Sequence, residues 1–175
     1  MQKPLKINYI QDSIPVVYRY HQGAKWFVIL LSFLMVVYSL YFMLNFVHAE
    51  TPIFFKLMPL FICFMGLESI LRKVTSLNSV TFMPDHLRLG YIAKPKLILP
   101  YDSIRSIDLV KKITIYITLS YQDEKGVEQK LRTPASFPHT LEIIFNLAEM
   151  AKQAVIPEKM QGVLDYLKAS ADNEL

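Results

Sequence analysis

The chain has 175 residues and a mass of 20.3 kDa, room for one compact domain and too little for two large soluble ones. Apolar residues make up 53% with glycine left out, above the roughly 45–50% that soluble chains reach with glycine counted. A net charge of +4, with no aromatic-basic platform, argues against nucleic-acid binding.

Of the 19 basic and 15 acidic residues, only Glu50, Lys56 and Glu68 fall between Trp26 and Leu71. That clustering divides the chain into a membrane segment and a water-facing one. The N-terminal arm, 1–25, alternates at Leu5, Ile7 and Tyr9 and again at Val16 and Tyr18. This pattern suits an edge strand or an interfacial stretch resting on the membrane. Residues 26–47 carry no charge and as a helix would be about 33 Å long, enough to span a bilayer core. Residues 53–71 give a second helix of about 28 Å, interrupted by Lys56, Pro59 and Glu68. The short link between them ends at Pro52, a residue suited to a helix start, so the two spans form an antiparallel hairpin. Val47-His48-Ala49 offers a cleavage-like pattern, but the run before it far exceeds the roughly 7–15 apolar residues of a signal peptide.

Lys3, Lys6, Arg19 and Lys25 precede the first span, Arg72, Lys73 and Arg88 follow the second, and the turn holds only Glu50. The positive-inside rule then places both termini in the cytoplasm. Within the spans, Lys56 is close enough to the outer boundary to extend its ammonium to the headgroups, and Glu68 can pair with Arg72 four residues on. Pro59 removes a backbone hydrogen bond and is expected to kink the second helix. Cys63 has no disulfide partner in the chain and, beside Gly66, is expected to pack against the other helix.

Beyond Lys73 the period changes to two. Residues 113–121 alternate Ile113, Ile115, Ile117, Leu119 and Tyr121 with polar neighbours, the pattern of a half-buried strand. Asp123-Glu124-Lys125-Gly126 reads as a hairpin turn into a strand over 127–132. Four shorter strands are expected at 79–83, 86–92, 96–99 and 104–110, giving a meandering antiparallel sheet or small barrel. Pro138 opens a helix whose apolar stripe is Leu141, Ile144, Phe145, Ala148 and Ala151, with Glu142, Glu149 and Lys152 outside the stripe. A last helix follows Pro157, with Met160, Val163, Leu164 and Leu167 on one face, ending before the polar tail that begins at Ser170. The organisation is an arm (1–25), a transmembrane hairpin (26–71), an α+β domain (78–154) and a C-terminal amphipathic helix with tail (155–175).

A two-span hairpin, then short strands containing Leu99-Pro100-Tyr101-Asp102-Ser103-Ile104-Arg105-Ser106-Ile107, then a closing helix, resembles the bacterial pleckstrin-homology-like (PH-like) membrane proteins. The short arm before the hairpin, and Leu131-Arg132-Thr133-Pro134-Ala135-Ser136-Phe137 before the helix, are similar to the YcxB-like branch. The resemblance implies a strongly bent antiparallel PH-like sheet capped by a C-terminal helix, in a bacterial inner-membrane protein. It transfers no catalytic residues. The eukaryotic PH fold has seven strands and six are counted here, which leaves the seventh to the N-terminal arm.

Chemistry-bearing motifs are sparse. His21, His48, His86 and His139 share no ligand spacing, so no metal site is expected. P-loop, dinucleotide and nucleophile-elbow motifs are absent from the sequence, and no cofactor or small-molecule substrate is expected. Asp85, Asp102 and Asp123 fall in predicted turns, where aspartate bonds nearby backbone, and Asp108 is a fourth carboxylate without a partner motif. Arg72, Lys73, Arg88, Lys94 and Lys96 gather close in sequence to the second span and are candidate contacts to an anionic lipid surface, although residues so placed also serve simply to set topology. The expectation is a non-enzymatic membrane protein whose cytoplasmic module meets a protein partner or the lipid surface, either alone or as a homo-oligomer. The rival is a small transporter or channel subunit using Lys56, Pro59 and Glu68.

Overall fold

The computed structural model describes Ile10 and residues 13–111, 115–123 and 125–172. Among these the chain forms two compact units. One comprises Tyr20–Asn78 with Tyr91–Pro95, and the other the remaining residues up to Arg19, Ser79–Gly90 and from Lys96 onward.

The first unit is a helical hairpin, α1 (Gln22–Phe46) and α2 (Ile53–Thr75). Both helices are long and apolar enough to cross a membrane. Each runs four residues past the expected span at the end carrying Lys25, Arg72 and Lys73, because a charge ends an apolar run without ending a helix; cations in the last turn of α2 suit its dipole. Thr51 closes the link, its hydroxyl accepting from the His48 N–H at 2.9 Å.

The packing of this unit is inverted relative to a soluble bundle. Lys25, Ser32, Val36 and Ser39 on α1, and Pro59 and Gly66 on α2, are buried, whereas Phe27, Leu30, Phe33, Phe54, Phe61 and Leu71 are exposed. Ser32 and Ser69 hydroxyls meet at 2.9 Å, and the Ser39 hydroxyl donates to the Pro59 carbonyl. Small and hydroxyl-bearing residues let helix backbones approach closely, as they do in membrane helices. Cys63 is half-buried with a free thiol.

The second unit holds seven strands in two antiparallel sheets and two helices. β1 (Val16–Arg19), β2 (Leu77–Phe82, whose first two residues belong to the hairpin unit), β3 (His86–Tyr91) and β4 (Leu97–Pro100) form one sheet in that order, and β5 (Ile104–Lys111), β6 (Ile115–Gln122) and β7 (Glu128–Pro134) form the other. Part of the N-terminal arm is thus an edge strand, with Tyr18 opposite Val80 and Arg19 opposite Ser79. Leu5, Ile7 and Tyr9 lie outside the described residues, as do Lys3, Lys6, Ile113 and Glu124. In place of one meander there are two sheets, with the Tyr101–Ser103 turn between β4 and β5.

The reading of the fifth and longest alternating stretch is corrected. β6 is buried on both faces across Ile117, Thr118, Leu119 and Ser120, while Ile115 is exposed at its end. As the central strand, flanked by β5 and β7, it is not the half-covered strand its alternation suggests. Its turn into β7 forms as expected, with Gly126 at φ 78°, a left-handed conformation in which glycine is unstrained.

The core is built from residues such as Val80, Phe82, Leu87, Leu99, Ile104 and Ile107. α3 (Thr140–Met150) is buried at Ile143, Ile144, Phe145, Asn146 and Leu147, and at Glu142, which is expected outside the stripe. α4 (Glu158–Asp172) continues past the expected stop at Ser170; Met160 and Leu167 are buried, whereas Val163 is exposed. Leu167 packs with Phe145, and Leu141 and Leu164 line the same cluster.

Candidate functional site

At the end of the hairpin that holds the interhelical turn, Lys56 Nζ donates to the Ala49 carbonyl at 2.7 Å. It bonds the turn itself. Near the opposite end, Glu68 and Arg72 form the i,i+4 pair that their spacing predicts.

The same end gathers cations. Lys73 Nζ stands 5.9 Å from the Tyr20 ring centroid, a cation–π distance. The Ala93 N–H donates to the Val74 carbonyl at 3.1 Å, which ties the β3–β4 turn to the last turn of α2 and brings Lys94 there. Lys25 is only 2% exposed; its ammonium faces Asn78 Oδ1 at 3.3 Å and the Ser76 carbonyl at 3.5 Å. Sequence reading had counted Lys25 only as a topological flank. Its signal is position, since a lysine beside the C-terminal end of a neighbouring helix finds unpaired carbonyls there.

The five candidate lipid contacts divide between the two units. Arg72, Lys73 and Lys94 belong to the hairpin unit, and Arg88 and Lys96 to the sheet unit. Arg88 is half-buried on β3 with its Nε enclosed, whereas Lys96 is exposed.

The sheet unit holds a second polar cluster, which the sequence did not reveal. Glu142, 8% exposed, accepts from the Tyr18 hydroxyl at 2.9 Å and has His139 Nδ1 at 3.1 Å from its other oxygen. His139 precedes α3 in the left-handed conformation, φ 57°. Burial first, then the hydrogen bond and charge of Glu142, push the Tyr18 phenol well above its usual range. Asn146, one turn on, accepts from the Ile10 N–H at 3.2 Å. The carboxylate stands at the N-terminal turn of α3, where the helix dipole favours it, and ties β1 to that helix. The neighbouring Thr140 hydroxyl bonds the Ala135 and Phe137 carbonyls.

Of the three turn aspartates, Asp123 bonds nearby backbone, whereas the contacts of Asp85 and Asp102 are to side chains. Asp123 Oδ1 accepts from the Lys125 and Val127 N–H groups, each at 2.9 Å, and these bonds hold its carboxyl below the usual range, that from Val127 most. Asp85 lies 2.7 Å from His86 Nδ1, and Asp102 accepts from Gln153 Nε2 at 3.3 Å. Tyr101 donates to the Met83 carbonyl at 2.8 Å, and burial pushes its phenol up to about 12. Among the described residues no three of His, Cys, Asp and Glu group as a metal centre would require. No family model, curated protein or solved structure matches the chain.

Proposed function

We propose that the protein is a non-enzymatic integral membrane protein of the bacterial inner membrane, whose hairpin anchors a cytoplasmic PH-like module for interaction at the bilayer surface. The carrying observation is the inverted packing of α1 and α2, with Lys25, Ser32, Ser39 and Gly66 inside and Phe27, Leu30, Phe54 and Phe61 outside. In water such an arrangement would expose apolar area far beyond the few hundred Å² usual on a monomer, whereas in lipid it needs no cover.

Several further features support the reading. Arg19, Lys25, Arg72 and Lys73 lie beyond one end of the apolar spans and Glu50 at the other, the charge asymmetry of a hairpin with cytoplasmic ends. Seven antiparallel strands in two sheets followed by a helix agree with a PH-like plan. A transporter or channel reading leans on Lys56 and Glu68, which here bond the Ala49 carbonyl and Arg72. The test is membrane topology in cells, with a reporter at each end of the chain and alkaline carbonate extraction. Both reporters should register the cytoplasm and the chain should stay in the membrane pellet; opposite compartments, or release by carbonate, would refute the proposal.

A further inference from the structure

Two short stretches far apart in sequence meet at the end of the hairpin unit. The first is the last turn of α2, with Arg72, Lys73 and Val74. The second is the β3–β4 turn, Tyr91–Pro95, which belongs to the same unit and is fixed by the Ala93 N–H to Val74 carbonyl bond at 3.1 Å. That bond sets the depth of the turn. If the apolar run of α2 fills the hydrocarbon core, residues just past Leu71 emerge among the headgroups, and Ile92 and Lys94 stand at the same level.

The side chains there have the character of an interfacial contact. Lys94 is exposed, and Ile92 beside it is 39% exposed, an apolar group next to a cation at headgroup depth. The charge is unbalanced: Lys25, Arg72, Lys73 and Lys94 face a single carboxylate, Glu68, at this end of the unit. Glu68 is taken by Arg72, and Lys25 is buried against neutral oxygens. Lys73 is held over the Tyr20 ring, and neither it nor Lys94 has an ion-pair partner among the described residues. Two ammonium groups on segments joined by that backbone bond, with no protein anion paired to either among the described residues, call for an outside one.

We propose that the last turn of α2 and the 91–95 turn form a clamp for the phosphodiester headgroup of an anionic phospholipid, with Lys73 and Lys94 as the charge contacts and Ile92 inserted beside the glycerol backbone. The clamp rests on the membrane-anchor reading and narrows it. The 91–95 turn becomes a second attachment to the bilayer, and Arg88 and Lys96, which lie in the other unit, are left out of the contact set.

The experiment is native mass spectrometry of the full chain released from detergent micelles with equimolar phosphatidylglycerol and phosphatidylcholine. The full chain should retain phosphatidylglycerol preferentially. Lys73→Gln or Lys94→Gln should each lower that preference about five-fold, and the double variant about thirty-fold, the size expected for well-placed charges at a lipid surface. Lys73→Arg with Lys94→Arg should keep it. Equal retention of the two lipids, an undiminished preference in the double Gln variant, or loss in the Arg variant would overturn the clamp. Millimolar inorganic phosphate should leave the bound lipid in place; displacement would assign the site to free phosphate and overturn the lipid assignment. Carbonate extraction of each variant separates the two levels of the argument. A chain that stays inserted yet shows no lipid preference refutes the clamp alone, whereas extraction of the unmodified chain refutes the anchor reading beneath it.

Discussion

Gly66 on α2 packs directly against α1, and enlarging it tests the packing of the hairpin. A methyl group placed there would stand 2.7 Å from Val36 Cγ2 and 3.1 Å from the Ser32 carbonyl oxygen. Neither neighbour gives way easily, because valine is restricted to essentially one rotamer in a helix and the oxygen belongs to the helix backbone. Overpacking of this kind costs about 1–3 kcal/mol, and alanine recovers up to about 1 kcal/mol in helix propensity, so Gly66→Ala should lose between about 0 and 2 kcal/mol. Gly66→Val lacks most of that compensation. It also parts Ser32 from Ser69, which bond at 2.9 Å one turn along and are worth about 0.6 kcal/mol by analogy with other membrane helices; its loss should be about 2–4 kcal/mol. The assay is an SDS titration of the full chain in mixed micelles, followed by circular dichroism and by fluorescence of Trp26, the single tryptophan. In a double-mutant cycle, Val36→Ala should offset part of the Gly66→Ala cost, with a favourable coupling of about 1 kcal/mol. A Gly66→Val chain as resistant as the parent, or a cycle with no coupling, would show that the helices do not meet at this point.

Tyr18→Phe should destabilise the sheet unit by about 1.5–3 kcal/mol, since it removes a hydrogen bond to a buried carboxylate; hydrogen exchange of the α3 amides in the full chain is the measurement, and unchanged protection would count against the Tyr18–Glu142 bond. Because burial raises Tyr101 from its ordinary value of 10.0 to about 12, its contribution to stability is full below pH 10 and is lost as pH rises toward 12. Tyr101→Phe should flatten that part of the alkaline unfolding profile, and an identical profile would refute the burial argument. Asp123 has the opposite sign: its carboxyl is held low by the Val127 and Lys125 N–H groups, so the turn is favoured above pH 3.8 and loosens on acidification below it. Asp123→Asn should blunt the acid loosening, read as amide exchange at Gly126 and Val127. Lys56→Met should leave carbonate resistance intact, because the substitution keeps the span apolar and removes one exposed bond to Ala49; release of the chain would give Lys56 a larger role.

The hairpin was legible because its signal is additive over many residues: no single side chain decides that 26–47 can span a membrane, and Pro52 marks the second start. The strands were legible wherever a turn residue punctuated them, as Pro84-Asp85, Pro100-Tyr101 and Gly126 do. Pairing was not legible. Whether Val16–Arg19 joined a sheet depended on β2, some sixty residues away, and nothing local to Val16 encodes that. Glu142 was misplaced for a related reason. A helical stripe records which face is apolar, but a carboxylate can leave solvent when Tyr18 approaches from the N-terminal arm and His139 from just before the helix. Lys25 reads only as a positive flank because the acceptors that take it in, Ser76 and Asn78, follow the second helix, 51 and 53 residues on. The candidate headgroup contacts read as one stretch in sequence, 72–96, whereas the chain leaves the hairpin unit within β2 and returns to it for 91–95.

The segment between α3 and α4 has a consequence for solubility. Val155 lies alongside β5 as a parallel bridge partner of Ser106, donating to the Arg105 carbonyl at 2.8 Å and accepting from the Ile107 N–H at 3.2 Å. These bonds occupy backbone groups that an unguarded outer strand would offer to any neighbouring chain. The stub before α4 therefore works as a bumper against edge-to-edge stacking, and α4, through Leu167 on Phe145, keeps that bumper in position. At the β5 edge, a neighbouring copy finds these backbone groups already taken.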